Sequence, residues 1–395
     1  MGRRAGLIRD RSADPDLTWL IDVLWGSEDG SVADRPMPGG TAYVVVPGPH
    51  RPRAILPARA DAARAALIAG AGTRSRAAQR GRALAAQAAR FGLLRPSLFV
   101  RGDDPLRASI REALGADVDF ACAVRAPGPF RKPVLQVVAD GELVAYAKVA
   151  WNAVTAANVA AEHRALLALE ANAASSLGAP APITVVEHRG FPVLLTRPMP
   201  RELRRFDAGR DELDPAITRL IGELGAPSAG GDPIAARLRS RLRAASGGSL
   251  ASVASTVERL LDAIGSRAAA IPVGAWHGDW SPWNLGWVGS RLWAWDWEYC
   301  RTDVPIGLDL PHFAFQRSFI GERQPLARSF SQARATTAEA LSRLGYAPAD
   351  RATIHAVHVA EIAIRYLEAD AIGVAPNPRF VEGADEAIAA ASVEL

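Results

Sequence analysis

The chain has 395 residues, 49% of them hydrophobic and 22% charged, with a formal net charge of +4. That is ordinary globular composition, with material for two or three domains of about 100–200 residues each. Two cysteines, Cys122 and Cys300, exclude a disulfide framework and a Cys-rich zinc site.

The start, MGRRAGLIRDRSADPD, lacks an apolar h-region. No run reaches the roughly 20 apolar residues of a membrane span. The arginines are spread along the chain instead of massed in one block, which gives little support to nucleic-acid binding. A soluble, cytoplasmic protein is expected, with no nucleic-acid and no membrane partner. Only two lysines, Lys132 and Lys148, stand among 46 basic residues.

In chain order, residues 15–25 read as a short amphipathic helix. Two β-runs follow, 42–46 and 53–56, joined by a Pro/Gly turn. Two Ala/Arg-rich stretches with helical spacing, 60–72 and 75–94, complete a small mixed α/β module over residues 1–115 that carries no chemical motif. From about 118 the texture changes to strand, Gly/Pro loop and strand, then a tight turn at Asp140-Gly141 and a third strand. A helix over 153–172 comes next, then a hairpin turning at Arg189-Gly190, making five strands with one helix after the third. Beyond 200, helices are expected at 211–224, 233–245, 250–268, 325–344, 350–370 and 381–390, with short strands near 284–288 and 292–296. SAGGDP and ASGGS read as loops.

Chemistry concentrates in HGDWSPWNLGWVGSRLWAWDWE, residues 277–298. Asp279, Asn284 and Asp296 stand there among six tryptophans, and uncompensated buried charge is costly. Phosphoryl transfer to a hydroxyl needs a lysine on the phosphates held by a glutamate, a carboxylate facing the acceptor, and an Asn and an Asp for Mg²⁺. The chain supplies these in order: Lys148 mid-strand, Glu162 on the apolar face of the next helix, Asp279, Asn284 and Asp296. Taken alone, Lys148 and Glu162 also fit an ordinary surface pair. The loop RAPGPFRK, 125–132, offers Gly128 for close backbone approach and Arg131 and Lys132 for a phosphate, or is a plain hairpin loop.

HxDxxxxN followed by an apolar strand ending in DWE resembles the aminoglycoside phosphotransferase/choline kinase group, within the protein-kinase-like fold. The matched motifs cover about residues 118–315. The resemblance implies an α+β bilobal architecture: a five-stranded antiparallel N-lobe with one helix over 116–198, and a mostly helical C-lobe over 199–395 carrying the catalytic loop and acceptor site. It implies Asp279 as catalytic base, with His277 bracing the loop and Asp309, in PIGLDLPHF, supporting it. Asn284 and Asp296 would bind Mg²⁺. Lys148 would contact the phosphates of ATP, with GTP as an alternative, held by Glu162. LLTRPMP, 194–200, matches the interlobe linker that reads the adenine edge, bringing in Thr196, Arg197 and Met199. The first 110 or so residues match only in position the appended modules of some sugar kinases of this group.

The expected activity is phosphoryl transfer to a small-molecule hydroxyl, most naturally of a sugar or related metabolite. The alternatives are an aminoglycoside-type antibiotic phosphotransferase and a catalytically silent nucleotide-binding regulator. Metal-dependent hydrolysis by the HxD pair lacks further histidine ligands. Glu361, Glu368 and Asp370 on a late helix would suit a polycationic acceptor, or simply form a solvated helix face. His355, His358 and Glu361 read as a metal site or as polar residues at the lobe surface; His163, His188 and His312 read as ordinary. The tryptophans read as packing, one or two of them free to stack on a sugar ring, and Glu298 as a solvent-facing or supporting carboxylate.

Overall fold

A computed structural model describes residues 14–26, 32–69, 76–102, 104–172, 177–224, 234–245 and 248–395. The SAGGDP loop, part of ASGGS, the ends of several expected elements and the segment before Asp14 lie outside the described residues. The chain divides into two compact units, Met1–Ala160 with Ala181–Pro198, and Ala161–Pro180 with Met199–Leu395. No helix among the described residues is long and apolar enough to cross a membrane.

The first unit begins with α1 (Pro15–Trp25), whose N-cap Asp14 accepts from the N–H groups of Asp16 and Leu17. Then come β1 (Val32–Ala33), β2 (Thr41–Val46), β3 (Ala54–Pro57), α2 (Ala60–Ala69), α3 (Arg76–Arg90), β4 (Leu98–Val100) and α4 (Pro105–Leu114). They are followed by β5 (Asp119–Ala123), β6 (Val134–Ala139), β7 (Glu142–Val149), α5 (Ala153–Ala171), β8 (Pro182–His188) and β9 (Phe191–Thr196). α5 runs across the division between the two units.

The strands of this unit make one antiparallel sheet of nine, in the order β1-β4-β2-β3-β5-β6-β7-β9-β8. This changes the expected organisation. β5 to β9 are present with α5 after the third, but they do not stand apart from residues 1–115. β3 pairs with β5 across that boundary, Ala54 opposite Ala123 and Ile55 opposite Cys122. The packing explains why. Alternate strand residues face opposite sides, and Tyr43, Val45, Ile55, Phe120, Cys122, Leu135 and Val137 share one apolar cluster with α1. Val44, Leu56, Ala121 and Val138 share another with α2. Phe120 stacks on Trp25 with ring centroids 6.3 Å apart, and the Trp25 indole N–H and Tyr43 hydroxyl both donate to buried Asp104, at 2.7 and 2.8 Å. Cutting at 115 would therefore split a core.

Both expected hairpin turns form with two left-handed residues each: Asp140-Gly141 (φ 48° and 73°) and Arg189-Gly190 (φ 51° and 80°). That conformation matches the twist of the flanking strands.

The second unit contains β10 (Arg204–Arg205), α6 (Pro215–Gly222), α7 (Ile234–Ala244), α8 (Ala251–Ile264), β11 (Val273–Trp276), β12 (Leu285–Val288), β13 (Arg291–Ala294) and β14 (Arg301–Pro305). α9 (Asp309–Gln316), α10 (Leu326–Arg343), α11 (Pro348–Ala371) and α12 (Pro378–Val393) follow. Two small sheets, β10-β12-β13 and β11-β14, flank the segment that runs from His277 to Asn284. α11 is buried at every position from Thr353 to Ile364, so it is a central helix covered nearly all round. His355, His358 and Glu361, read as lobe-surface residues, are accordingly 5%, 0% and 0% exposed.

Candidate active site

β11 delivers the chain to His277, held on one side by β14 through pairs such as Trp276 opposite Arg301. Gly278 follows with φ +83°, and a Cβ there would collide with the Tyr299 carbonyl. Only glycine fits that turn. Asp309, 1% exposed in the first turn of α9, accepts the main-chain N–H of His277 at 2.8 Å and of Gly278 at 3.1 Å. Burial pushes the Asp309 carboxyl up to about 7, against the pull of those two amides.

His277 is fully buried. Its Nδ1 accepts from the Asp279 N–H at 3.1 Å, so its proton sits on Nε2, which donates to the Trp295 carbonyl at 3.1 Å. Burial lowers its pKa to about 4, leaving the ring neutral, with its centroid 4.4 Å from that of Trp297. It is a brace between the loop and the end of β13.

Asp279 alone of these groups keeps side-chain exposure, at 23%. The turn Pro282–Asn284 swings Asn284 back, and its Nδ2 donates to Asp279 Oδ2 at 2.7 Å and to the Asp279 carbonyl at 3.1 Å. Asn284 Oδ1 has no hydrogen-bond donor among the described residues. The Trp295 N–H donates to the Asn284 carbonyl at 3.1 Å, and the next residue is Asp296, half-buried and left-handed at φ 71°. A non-glycine residue there is strained unless its surroundings hold it.

Two residues that the sequence reading passed over belong to this site. His312 Nε2 lies 3.7 Å from Asp279 Oδ1, the ring fully buried and its pKa lowered by that burial. Arg365 on α11 donates to the Gly278 carbonyl at 2.6 Å, its guanidinium 4.7 Å from the Trp276 ring and 4.8 Å from the Tyr299 ring. His312 was findable: it lies one helical turn after Asp309 and so shares its face. Of the tryptophans, Trp276, Trp280 and Trp297 are buried, whereas Trp283, Trp287, Trp293 and Trp295 are half-buried.

Among the described residues no cluster of three or more His, Cys, Asp or Glu could hold a metal. Asn284 and Asp296 are instead one amide oxygen and one carboxylate, hard donors of the kind that serve Mg²⁺ completed by water and phosphate oxygens.

In the first unit, Lys148 lies mid-β7 opposite Val134 and Leu194, on the half-buried face with Tyr146, while Ala147 and Val149 fill the core. Thr196 ends β9, buried and opposite Tyr146; the Arg197 N–H donates to the Ala181 carbonyl at 2.8 Å. The 125–132 loop is pinned to the start of α5: Trp151 Nε1 donates to the Arg131 carbonyl at 2.7 Å and Asn152 Nδ2 to the Pro129 carbonyl at 3.0 Å. Gly128 has ordinary φ, and a Cβ there would make only an ordinary contact with Arg131 Cβ at 3.9 Å; Arg131 is exposed and Lys132 half-buried. Glu162, 2% exposed, and Met199, half-buried, belong to the second unit.

No protein-family profile matches the chain, and no curated protein matches its sequence. Among solved structures it is similar to a choline/ethanolamine kinase family protein from Mesorhizobium loti, at 17% identity over 74% of this chain and 94% of that one, with a TM-score of 0.41. It is similar to a thermostable aminoglycoside phosphotransferase mutant in ternary complex with ADP and hygromycin B, at 12% identity over 72% and 98% of the two chains and a TM-score of 0.48. A choline kinase from Cryptosporidium parvum Iowa II aligns at 11% identity over 70% and 88%, with a TM-score of 0.43.

Proposed function

We propose that the chain is an ATP-dependent phosphotransferase that moves the γ-phosphoryl group to a hydroxyl of a small molecule, a sugar or related metabolite. The observation that carries this is Asp279: a partly exposed carboxylate whose Oδ2 is fixed by Asn284 at 2.7 Å, on a loop hung from Asp309 and Arg365. Fixed carboxylates of this kind orient a hydroxyl and take its proton as its oxygen attacks phosphorus. The new P–O bond forms at the acceptor, the bond to the bridging oxygen breaks, and ADP leaves.

Asn284 Oδ1 and the Asp296 carboxylate would hold Mg²⁺, which when bound neutralises charge on the phosphate oxygens. Lys148 and Glu162 would serve the nucleotide phosphates together with Gly128, Arg131 and Lys132, and Thr196, Arg197 and Met199 would serve the adenine edge. Residues 116–198 would thus bind nucleotide, and 199–395 would hold the catalytic loop and the acceptor.

A neutral acceptor is favoured over a polycationic one because the late-helix acids are already engaged, two of them by arginines. Glu361 is ion-paired with Arg237, Arg241 and Arg301; Glu368 is gripped by Arg241; and Asp370 accepts from Ser249 and the Leu250 N–H. Half-buried Trp283 would offer a stacking face for a sugar, whereas Trp295 already has the Arg205 guanidinium 5.7 Å from its ring centroid.

The deciding experiment is melting of the wild type and of Asp296→Ala with ATP or GTP, with and without Mg²⁺. Binding at a hundredfold excess over Kd adds about 2.7 kcal/mol. A Mg²⁺-dependent rise, abolished by the substitution and followed by acceptor-dependent ADP release, supports the reading. A rise without release under a broad acceptor screen favours a silent regulator, and no rise with either nucleotide refutes both.

A further inference from the structure

One stretch of the first unit has an unusual charge pattern. Residues 62–102 contain eight arginines and not one Asp or Glu. Within them, Arg80, Leu84, Gln87 and Phe91 follow each other at helical spacing along α3 and its C-terminal turn, and all four are exposed. Leu84 is 72% exposed and Phe91 and Leu93 are each 68% exposed. The opposite face of α3 packs Ala85, Ala86 and Ala89 against the sheet, so the exposed stripe has no covering element among the described residues.

The tip is firmly shaped. Gly92 is left-handed at φ +64°, and the N–H groups of Gly92 and Leu93 return to the Ala89 and Ala88 carbonyls at 3.0 and 2.9 Å. That closes the helix and leaves Phe91 and Leu93 exposed on either side of Gly92. Arg90 lies 5.9 Å from the Phe91 ring centroid, and Arg95 is exposed beyond Leu93. Arg80, Arg90 and Arg95 make no ion pair among the described residues.

We propose that this tip seats on an anionic lipid surface, with Leu84, Phe91 and Leu93 entering the headgroup boundary and Arg80, Arg90 and Arg95 meeting lipid phosphates. Exposed apolar side chains, beside arginines that are unpaired among the described residues, suit a yielding anionic interface. Self-pairing would set arginine against arginine, since a two-fold contact joins like patches. Nucleic acid would find no use for the two leucines. No membrane partner is expected from the sequence because no apolar run is long enough to span a bilayer; a surface contact needs only the short exposed stripe of α3 and the arginines beside it.

The test is cosedimentation of the full-length protein with phosphatidylcholine vesicles and with mixed phosphatidylcholine/phosphatidylglycerol vesicles. Binding is expected to the mixed vesicles only, weakened by salt and lowered roughly fivefold by each of Arg90→Gln and Arg95→Gln. The triple variant Leu84→Ser/Phe91→Ser/Leu93→Ser should lose binding while melting like the wild type. No pelleting with anionic vesicles, equal pelleting with neutral ones, or undiminished binding of the triple variant overturns the proposal. So does retention on polyglutamate or DNA without vesicle binding.

Discussion

Asp309 Oδ2 accepts the main-chain N–H of His277 at 2.8 Å while Oδ1 accepts that of Gly278 at 3.1 Å, so one carboxylate from α9 carries the two peptide groups that precede Asp279. Burial sets the Asp309 carboxyl at about 7 against 3.8 for a free Asp. The folded chain therefore holds a proton there that the unfolded chain has released, and the stability this contributes is lost as pH rises from about 4 to 7. Asp309→Asn removes the titration. Its stability curve should lack that decline, a difference of about 1.4 kcal/mol per pH unit across the window. Urea denaturation at several pH values checks this, and parallel curves would show that Asp309 does not titrate in that range. Asp309→Ala strands two buried N–H groups and should cost about 1–3 kcal/mol for each.

Asn284 serves Asp279 through Nδ2 and, in the proposed reaction, the metal through Oδ1. Asn284→Ala frees the carboxylate to rotate. ADP release should fall about 100-fold or more with little change in melting temperature, since misplacement of about an ångström is enough for such a loss. Single-turnover rates separate this from a binding defect. A variant that retains wild-type turnover would remove Asn284 from the site.

The parts of this site that are written locally were legible, and those that close over long distances were not. His277, Asp279, Asn284 and Asp296 are near neighbours whose spacing alone suggests a polar loop returning to a strand. Arg365 reaches Gly278 across 87 residues, and no periodicity in either segment points to the other. The same holds for the sheet. β2 and β3 are visible as β-runs, but that β3 pairs with β5 depends on which apolar faces are left uncovered, and so residues 1–115 read as separate. α4 was missed despite a clear signature, Asp104-Pro105 at its start and left-handed Gly115 at its end. α9 was missed because it is short and contains Pro311, and with it went His312. In α11 the polar residues share a face, as expected. Because the helix is buried all round, that face turns inward.

Glu361 is the clearest consequence of that burial. Burial alone would raise its pKa, but Arg241, Arg301 and Arg365 outweigh it and hold the carboxyl below the ordinary 4.5. A lowered folded pKa contributes stability that is present above about 4.5 and lost as pH falls through the folded value. Glu361→Gln leaves the arginines uncompensated and should cost about 3–5 kcal/mol at pH 7. The gap to wild type should close on acidification, as the wild-type carboxylate itself becomes protonated. A gap independent of pH would mean that shape, not charge, is what Glu361 supplies.

His358 makes the opposite case. It is 0% exposed, neither ring nitrogen has a hydrogen-bond partner among the described residues, and its ring centroid lies 5.7 Å from that of His312 and of Phe315. Burial, reinforced by His312, His355 and Arg365, holds its pKa well below 6.5. The unfolded chain takes up a proton below 6.5 that folded His358 refuses, so stability is present above that pH and drains away as pH falls. His358→Leu removes two unpaired polar atoms at similar volume and favours the helix. It should be neutral or stabilising by about 1 kcal/mol at pH 7, and its advantage should grow by up to about 1.4 kcal/mol per unit as pH drops below 6.5. Denaturation at pH 7 and pH 5 reads both effects. A loss of more than about 2 kcal/mol at pH 7 would instead show that the ring nitrogens hold a buried partner whose removal α11 cannot absorb.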